Sequence, residues 1–292
     1  MNGRDPPRGM ILVSVLWSIA LMTALAWAAS TTFRGLSSVV GVGRDRAKIE
    51  GLLTAGLEAA AGVVRAANAP IPEIATTINL EPGAVHVRVS DEGGRIDIGH
   101  APLPVLVSLL HAVGAPPAAD AVAQQIVDWR DPEAARSANA RLSNASPRNP
   151  SDQPFTDVRQ LTNIPGMEPK WVAAMGPLTT VFGSDTVNPL TASAAVIAAL
   201  PGVDPTRLNA FLARRALPLK DPDSLGATLG PAQQYLKVAP QQAVAVELTA
   251  EVIDGYRAAA RAVIVLLPDD REPYRVLAWD PQDPLPRLAE WP

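Results

Sequence analysis

Apolar residues are arranged in three different patterns along this chain. From Met10 to Ala29 it reads MILVSVLWSIALMTALAWAA, twenty residues without a charge inside an uncharged stretch from Gly9 to Phe33. A helix of that length spans about 30 Å, the thickness of a bilayer core. Ser14, Ser18 and Thr23 are compatible with such a helix because their hydroxyls can bond to its own carbonyls. The second pattern is amphipathic. Ile49, Leu52, Leu53, Leu57, Ala60 and Val64 recur at helical spacing with Arg46, Glu50 and Glu58 between them, and no proline interrupts Leu36 to Ala67. Gly41, Gly43 and Gly51 weaken this helix locally. The spacing predicts a transmembrane helix over 10–33 running directly into an amphipathic stem over 34–68.

The third pattern is short elements punctuated by proline and glycine. Residues 69–83 read as a connection. Val85-His86-Val87-Arg88-Val89 alternates at period two, and Arg95–Ile98 follows Asp91-Glu92-Gly93-Gly94, which predicts a hairpin. Short helices are predicted over Val105–Val113, Ala118–Trp129, Val158–Asn163, Pro169–Met175, Ala192–Leu200, Pro205–Ala216 and Ser224–Leu229. Apolar, partly alternating strands return at Ala243–Val252, Ala259–Leu267 and Tyr274–Trp279. The predicted class is α+β: a long N-terminal helix on a small antiparallel sheet, with a large all-α insertion. Its segments are a polar leader at 1–9, the apolar helix at 10–33, the stem at 34–68, the first part of the sheet domain at 69–101, the helical insertion at 102–240 and returning strands at 241–292.

Composition narrows the chemistry. The net charge of −4 offers no general attraction to nucleic acid, and the absence of cysteine removes disulfides, thiol catalysis and thiolate metal sites. His86, His100 and His111 are the only histidines, and none sits in a metalloprotease, phosphate-loop or nucleophile-elbow pattern. His86 and His111 read as structural, and no enzyme is predicted. Asp269-Asp270-Arg271-Glu272 reads as a solvated turn. Trp171 and Trp279 are expected in the core, and Trp291 is a further contact aromatic.

The apolar N-terminal run has three fates open to it. Ala26-Trp27-Ala28 satisfies a signal-peptide cleavage pattern; the run can also be an uncleaved anchor, or the retained helix of a precursor cut between Gly9 and Met10. Arginines and Lys48 after the run match Arg4 and Arg8 before it, so charge leaves the orientation open. The continuous stem favours the third fate, because a signal peptide has no need of it.

Arg8-Gly9-Met10-Ile11-Leu12-Val13-Ser14 resembles a type IV prepilin cleavage region. In that family the fifth residue after the cut is usually glutamate, and here it is Ser14. That departure is typical of protein K, a minor pseudopilin of the general (type II) secretion pathway. Further stretches are similar to protein K in order along the chain. They are Gly94-Arg95-Ile96-Asp97-Ile98, Ala123–Asp131 with its Asp128-Trp129-Arg130-Asp131, Phe155–Leu161 ahead of Ile164-Pro165-Gly166-Met167, and Val187-Asn188-Pro189-Leu190-Thr191-Ala192-Ser193. The resemblance implies a pilin-like fold with a helix-hairpin-helix/SAM-like insertion. It implies leader removal after Gly9 by a prepilin peptidase, methylation of Met10, and a single-pass helix among bacterial inner-membrane lipids with the C-terminal domain in the periplasm. Other minor pseudopilins and the major pseudopilin are the implied partners. The implied role is to initiate and cap the pseudopilus during export of proteins from the periplasm across the outer membrane.

Two motifs have competing readings. Ile164-Pro165-Gly166 and Leu200-Pro201-Gly202-Val203 resemble helix-hairpin-helix turns, whose backbone amides hold DNA phosphates in other proteins, with Arg207, Arg214 and Arg215 nearby. A membrane-tethered or secreted DNA-binding protein is therefore the alternative to a protein-binding helical unit, which the net charge and Asp204 favour. Asp128, Asp131 and Glu133, with Asp152, offer hard oxygen ligands for Ca²⁺. The loop departs from the calcium-binding pattern at Pro132–Ala138, and Asp128 and Asp131 can instead pin the loop through backbone amides and arginine.

Overall fold

The computed structural model describes residues 8–67, 73–130, 155–218, 221–240, 243–253, 255–267 and 273–282; in the first helix the side chains described are those of 13–27 and 43–66. Helix α1 is continuous from Arg8 to Ala66. Its 59 residues rise about 88 Å. The apolar run and the stem are therefore one rod, and it begins ahead of the expected Gly9–Met10 cut.

The stem half of α1 lies on a five-stranded antiparallel sheet ordered β1-β2-β5-β6-β7. The strands are β1 (Glu73–Leu80), β2 (Gly83–Asp91), β5 (Ala243–Val252), β6 (Arg257–Leu266) and β7 (Tyr274–Gln282). Ile49, Leu52, Leu53, Leu57, Ala60, Ala61 and Val64 form the buried stripe of the helix. They meet Val85, Val87 and Val89 of β2, Val244, Val246 and Leu248 of β5, and Ala260, Ala262 and Ile264 of β6. Each fully buried leucine contributes roughly 2 kcal/mol by its removal from water. Gly56 faces the same seam: a Cβ there would stand 2.9 Å from both Leu248 Cδ2 and Val85 Cγ2, so the missing side chain lets helix and sheet approach closely.

The sheet corrects the predicted strand order. Residues 69–83 are not simply a connection, because Glu73–Leu80 forms β1 and pairs with β2 through the two-residue Glu81-Pro82 turn. Apolar Ile74 and Ile78 are only half-buried, as suits an edge strand. The 85–89/95–98 hairpin does not form. Strand β2 instead pairs with β5, Val87 opposite Leu248, while β3 (Ile96–Asp97) joins β4 (Thr179–Thr180) in a separate parallel pair. The reason is local. Asp91-Glu92-Gly93-Gly94 closes a single 3-10 turn, capped by the Asp91 carboxylate on Gly93 N, which sends the chain out of the sheet.

That turn opens the helical unit. It contains α2 (Leu103–Ala112), α3 (Asp120–Arg130), α4 (Pro169–Met175), α5 (Ala194–Ala198), α6 (Pro205–Arg215) and 3-10 turns over Val158–Asn163 and Pro222–Tyr235. Proline at the first turn of α2, α4 and α6, where its missing N–H costs nothing, places their starts. The predicted Ser224–Leu229 helix is instead part of the last 3-10 run, which Gly230 interrupts with φ +59°. The core of this unit includes Leu106, Leu110, Ile126, Leu161, Met175, Ile197 and Phe211, and shares no residue with the stem–sheet core. Trp171 is buried as predicted. Trp279 is not: it sits on edge strand β7 beyond the cover of the stem and is 43% exposed. Trp291 and Asp269–Glu272 lie outside the described residues.

Candidate functional site

Three surfaces carry the residues singled out by sequence. The first is the N-terminal part of α1. Val13, Leu16, Trp17, Met22, Leu25 and Trp27 are all exposed, the tryptophans by 73% and 72%. Ser18 Oγ donates to Ser14 O at 2.9 Å and Thr23 Oγ1 to Ile19 O at 2.8 Å, so these hydroxyls are satisfied within the helix as expected. Among the described residues no helix is long and apolar enough to cross a membrane. Residues 13–27 rise about 22 Å, short of a bilayer core. The side chains of Gly9 and Met10 lie outside the described ones, although both residues are helical.

The second surface is the crossing from sheet to helical unit, where sequence analysis saw only a turn. Asp91 is 4% exposed and Glu92 1%. Asp91 accepts hydrogen bonds from Gly93 N (3.0 Å), Thr191 Oγ1 (2.7 Å) and Asn188 Nδ2 (3.4 Å). Asn188 also donates through Nδ2 to Ala239 O at 3.2 Å, just before the chain re-enters the sheet. The outgoing and returning strands of chain are thus tied to one asparagine. Glu92 lies 2.7 Å from Arg261 Nη2 of β6 and 3.7 Å from Arg95 Nη1. Gly94 admits Thr191: a Cβ would stand 2.8 Å from the Thr191 carbonyl carbon. Nearby, Asp97 accepts from Gly99 N and Gly183 N, each at 2.7 Å, and pairs with His100 at 3.1 Å. The Gly94–Ile98 and Val187–Ser193 motifs, far apart in sequence, therefore meet as one polar clasp.

Burial pushes the Asp91 carboxyl above its ordinary value, and the three donors only partly offset this. A group whose pKa is raised by folding favours the folded state below its unfolded pKa, and that contribution is lost as pH rises through the folded value. The stability gap between the native protein and an Asp91→Asn variant should therefore be widest in acid and narrow towards neutrality. Guanidinium unfolding of both across that range checks it; a gap that widens as pH rises would contradict the assignment.

The third surface holds the two hairpins and the acidic loop. Gly166 and Gly202 take φ of +81° and +74°, the turn conformation that the Pro-Gly pairs predict. The arginines proposed for DNA are engaged within the unit. Arg207 Nη1 donates to Gly202 O at 3.0 Å, Arg214 to Ser224 Oγ at 3.2 Å, and Arg215 to Pro189 O at 3.2 Å. Burial holds the Arg215 guanidinium below its ordinary value. The Asp204 carboxylate accepts from Arg207 N at 2.9 Å, filling the helix N-terminus where a phosphate would sit. Asp128 accepts from Gln124 Nε2 at 2.8 Å, Arg130 donates to Ala101 O at 2.7 Å, and Trp129 stacks on Phe155 at 6.4 Å. Asp131, Glu133 and Asp152 lie outside the described residues. Among the described residues no three acidic or histidine side chains converge to hold a metal. His86 Nδ1 lies 2.8 Å from Thr77 Oγ1, and His111 Nε2 lies 2.7 Å from Asp120, tying α2 to α3.

Residues 89–184, which span the clasp's outgoing turn and much of the helical unit, match the family model of type II secretion system (T2SS) protein K. That segment is similar to the protein K family. Protein K is a structural pseudopilin family and not a known enzyme family. The protein K match begins at Val89 in β2 and ends at Ser184. In fold, 84% of the chain is similar to 98% of a chain in the GspK-GspI-GspJ complex from the enterotoxigenic Escherichia coli type 2 secretion system, with a TM-score of 0.60 and 15% identity. Four solved chains match in this way, and no curated protein matches.

Proposed function

We propose that this protein is the tip subunit of a type II secretion pseudopilus, held before assembly by a single-pass inner-membrane helix with its sheet and helical unit in the periplasm. The observation that carries the reading is the protein K segment, borne on a sheet at one end of a rod whose other end presents exposed apolar side chains in the described stretch. A helix apolar all round needs a non-aqueous environment, and lipid supplies one. The precursor is cut after Gly9 by a prepilin peptidase, leaving Met10 as a methylated N-terminus. The partners are two other minor pseudopilins, supported by the solved relative having been found in a three-protein complex, and below them the major pseudopilin. The stem packs against their stems.

The role is to start the pseudopilus and to cap it. Ser14 stands where assembling pilins carry a glutamate that pairs with a neighbour's N-terminal ammonium, a pairing that matters where an unpaired charge meets lipid. Without that carboxylate the subunit has no partner ahead of it, and the helical unit leaves no room for one. Mass spectrometry of the membrane-extracted protein should find a mature chain starting at Met10, and the uncut chain when the peptidase is deleted. A start at Ala29 would end the pilin reading. Ser14→Glu should lengthen pseudopili or change their composition, seen by electron microscopy; unaltered filaments would count against capping.

A further inference from the structure

We infer that the helical unit is hinged on the sheet, with the Asp91–Asn188–Thr191 clasp as pivot and the Arg159–Asp280 ion pair as a releasable latch. The two bodies keep separate apolar cores. A cleft of about 550 Å³ lies between them, lined by charged Glu92, Arg159 and Asp280 and by apolar Val181, Phe182 and Val263 among others. Bodies that keep separate cores with an open cleft between them move relative to one another unless something fixes them.

The two sides of the cleft are fixed very differently. At the pivot the carboxylates of Asp91 and Glu92 are buried and the outgoing and returning chain are knitted through Asn188, so this side resists both water and salt. On the far side Arg159, from the Val158–Asn163 turn, reaches Asp280 of β7 at 3.2 Å, with side-chain exposures of 68% and 44%. Arg159 is already held by Asp157 of its own turn, through Nε–Oδ2 at 3.0 Å and Nη2–Oδ2 at 2.7 Å. Letting go of Asp280 therefore leaves Arg159 paired and returns the half-exposed Asp280 carboxylate to water, and an ion pair this exposed is weak and screened by salt. Release of the latch swings the helical unit away from β7 while the pivot holds, a hinge motion with its flexure at the chain crossing.

The absence of cysteine makes the motion directly measurable. Arg275→Cys on β7 and Ala174→Cys on α4 place one spin label on each side of the cleft at exposed positions. In the full chain in detergent, pulsed electron resonance should give one narrow distance at low salt. At about 1 M salt, where the screening length falls to a few ångströms, the peak should broaden and move to longer distance. Asp280→Lys, which sets like charges face to face, should give the long distance even at low salt, with circular dichroism unchanged. A distribution that neither salt nor Asp280→Lys alters would overturn the hinge. The salt series needs no variant at the latch, so a poorly folding Asp280→Lys would still leave the idea decided. The measurement is independent of where the subunit sits in a filament, so the hinge and the tip assignment can fail separately.

Discussion

Gly94→Ala should destabilise the protein by about 2–3 kcal/mol, far more than the usual cost of one methyl group. The added Cβ would stand 2.8 Å from the carbonyl carbon of Thr191 and 2.9 Å from both its carbonyl and hydroxyl oxygens. Two of those three atoms belong to backbone, which cannot rotate away as a side chain can. Relief requires moving the Thr191 segment, and that segment supplies the 2.7 Å hydrogen bond to Asp91. A buried carboxylate would then lose one of its three donors while still excluded from water, which is the expensive way to lose a hydrogen bond. Denaturant unfolding should show the loss, and limited proteolysis should cut faster around the chain crossing. Gly51→Ala is the matching control: it has open space around the new methyl group and lies within a helix, so it should be neutral or gain up to about 1 kcal/mol. Equal stability of the two variants would refute the clasp.

Gly56→Leu should cost about 3 kcal/mol, by prising the stem from the sheet. Its Cβ would meet Leu248 Cδ2 and Val85 Cγ2 at 2.9 Å before the rest of the side chain is placed. Single methyl groups can be accommodated by rotation of those two side chains, but three further carbons cannot, because Leu52, Leu53 and Leu57 already fill the seam around them. The stem must lift or slide, which exposes part of the apolar stripe. Thermal unfolding should register the loss, and the tryptophan-free stem can be followed by amide exchange at residues 49–64. Exchange unchanged from the native protein would show that helix and sheet do not meet at Gly56.

How much of this could be read from the chain depends on how local each feature is. The stem was legible because Ile49, Leu52, Leu53, Leu57, Ala60 and Val64 write the helical period directly, and all six are buried against the sheet. The short helices were legible because proline and glycine punctuate them, and proline acts on its own turn at the starts of α2, α4 and α6. Strand β1 was not legible: EIATTINL carries few apolar residues, since an edge strand lacks a second neighbour and much of its surface stays in water. The pairing of β2 was not legible either, because its partner β5 lies about 160 residues away and a strand's pattern says which face is buried without naming its neighbour.

The candidate site divides the same way. The motifs Gly94–Ile98 and Val187–Ser193 stood out in the sequence through family resemblance, but their joint purpose did not. Asp91 and Glu92 read only as the turn of a hairpin, because burial of a carboxylate is decided by what other parts of the chain cover it with. Trp279 failed for the converse reason: its apolar ring suggested a core position, and only the reach of the stem, which meets β7 at Tyr274, decides that Trp279 lies outside it. The sequence by itself determined the rod, most of the short helices and the apolar N-terminal run, since each follows from periodicity or from one residue's reach. The tertiary structure alone decided the strand order, the buried clasp and the cleft beside it, because these depend on contacts between distant segments whose free energies no local pattern records.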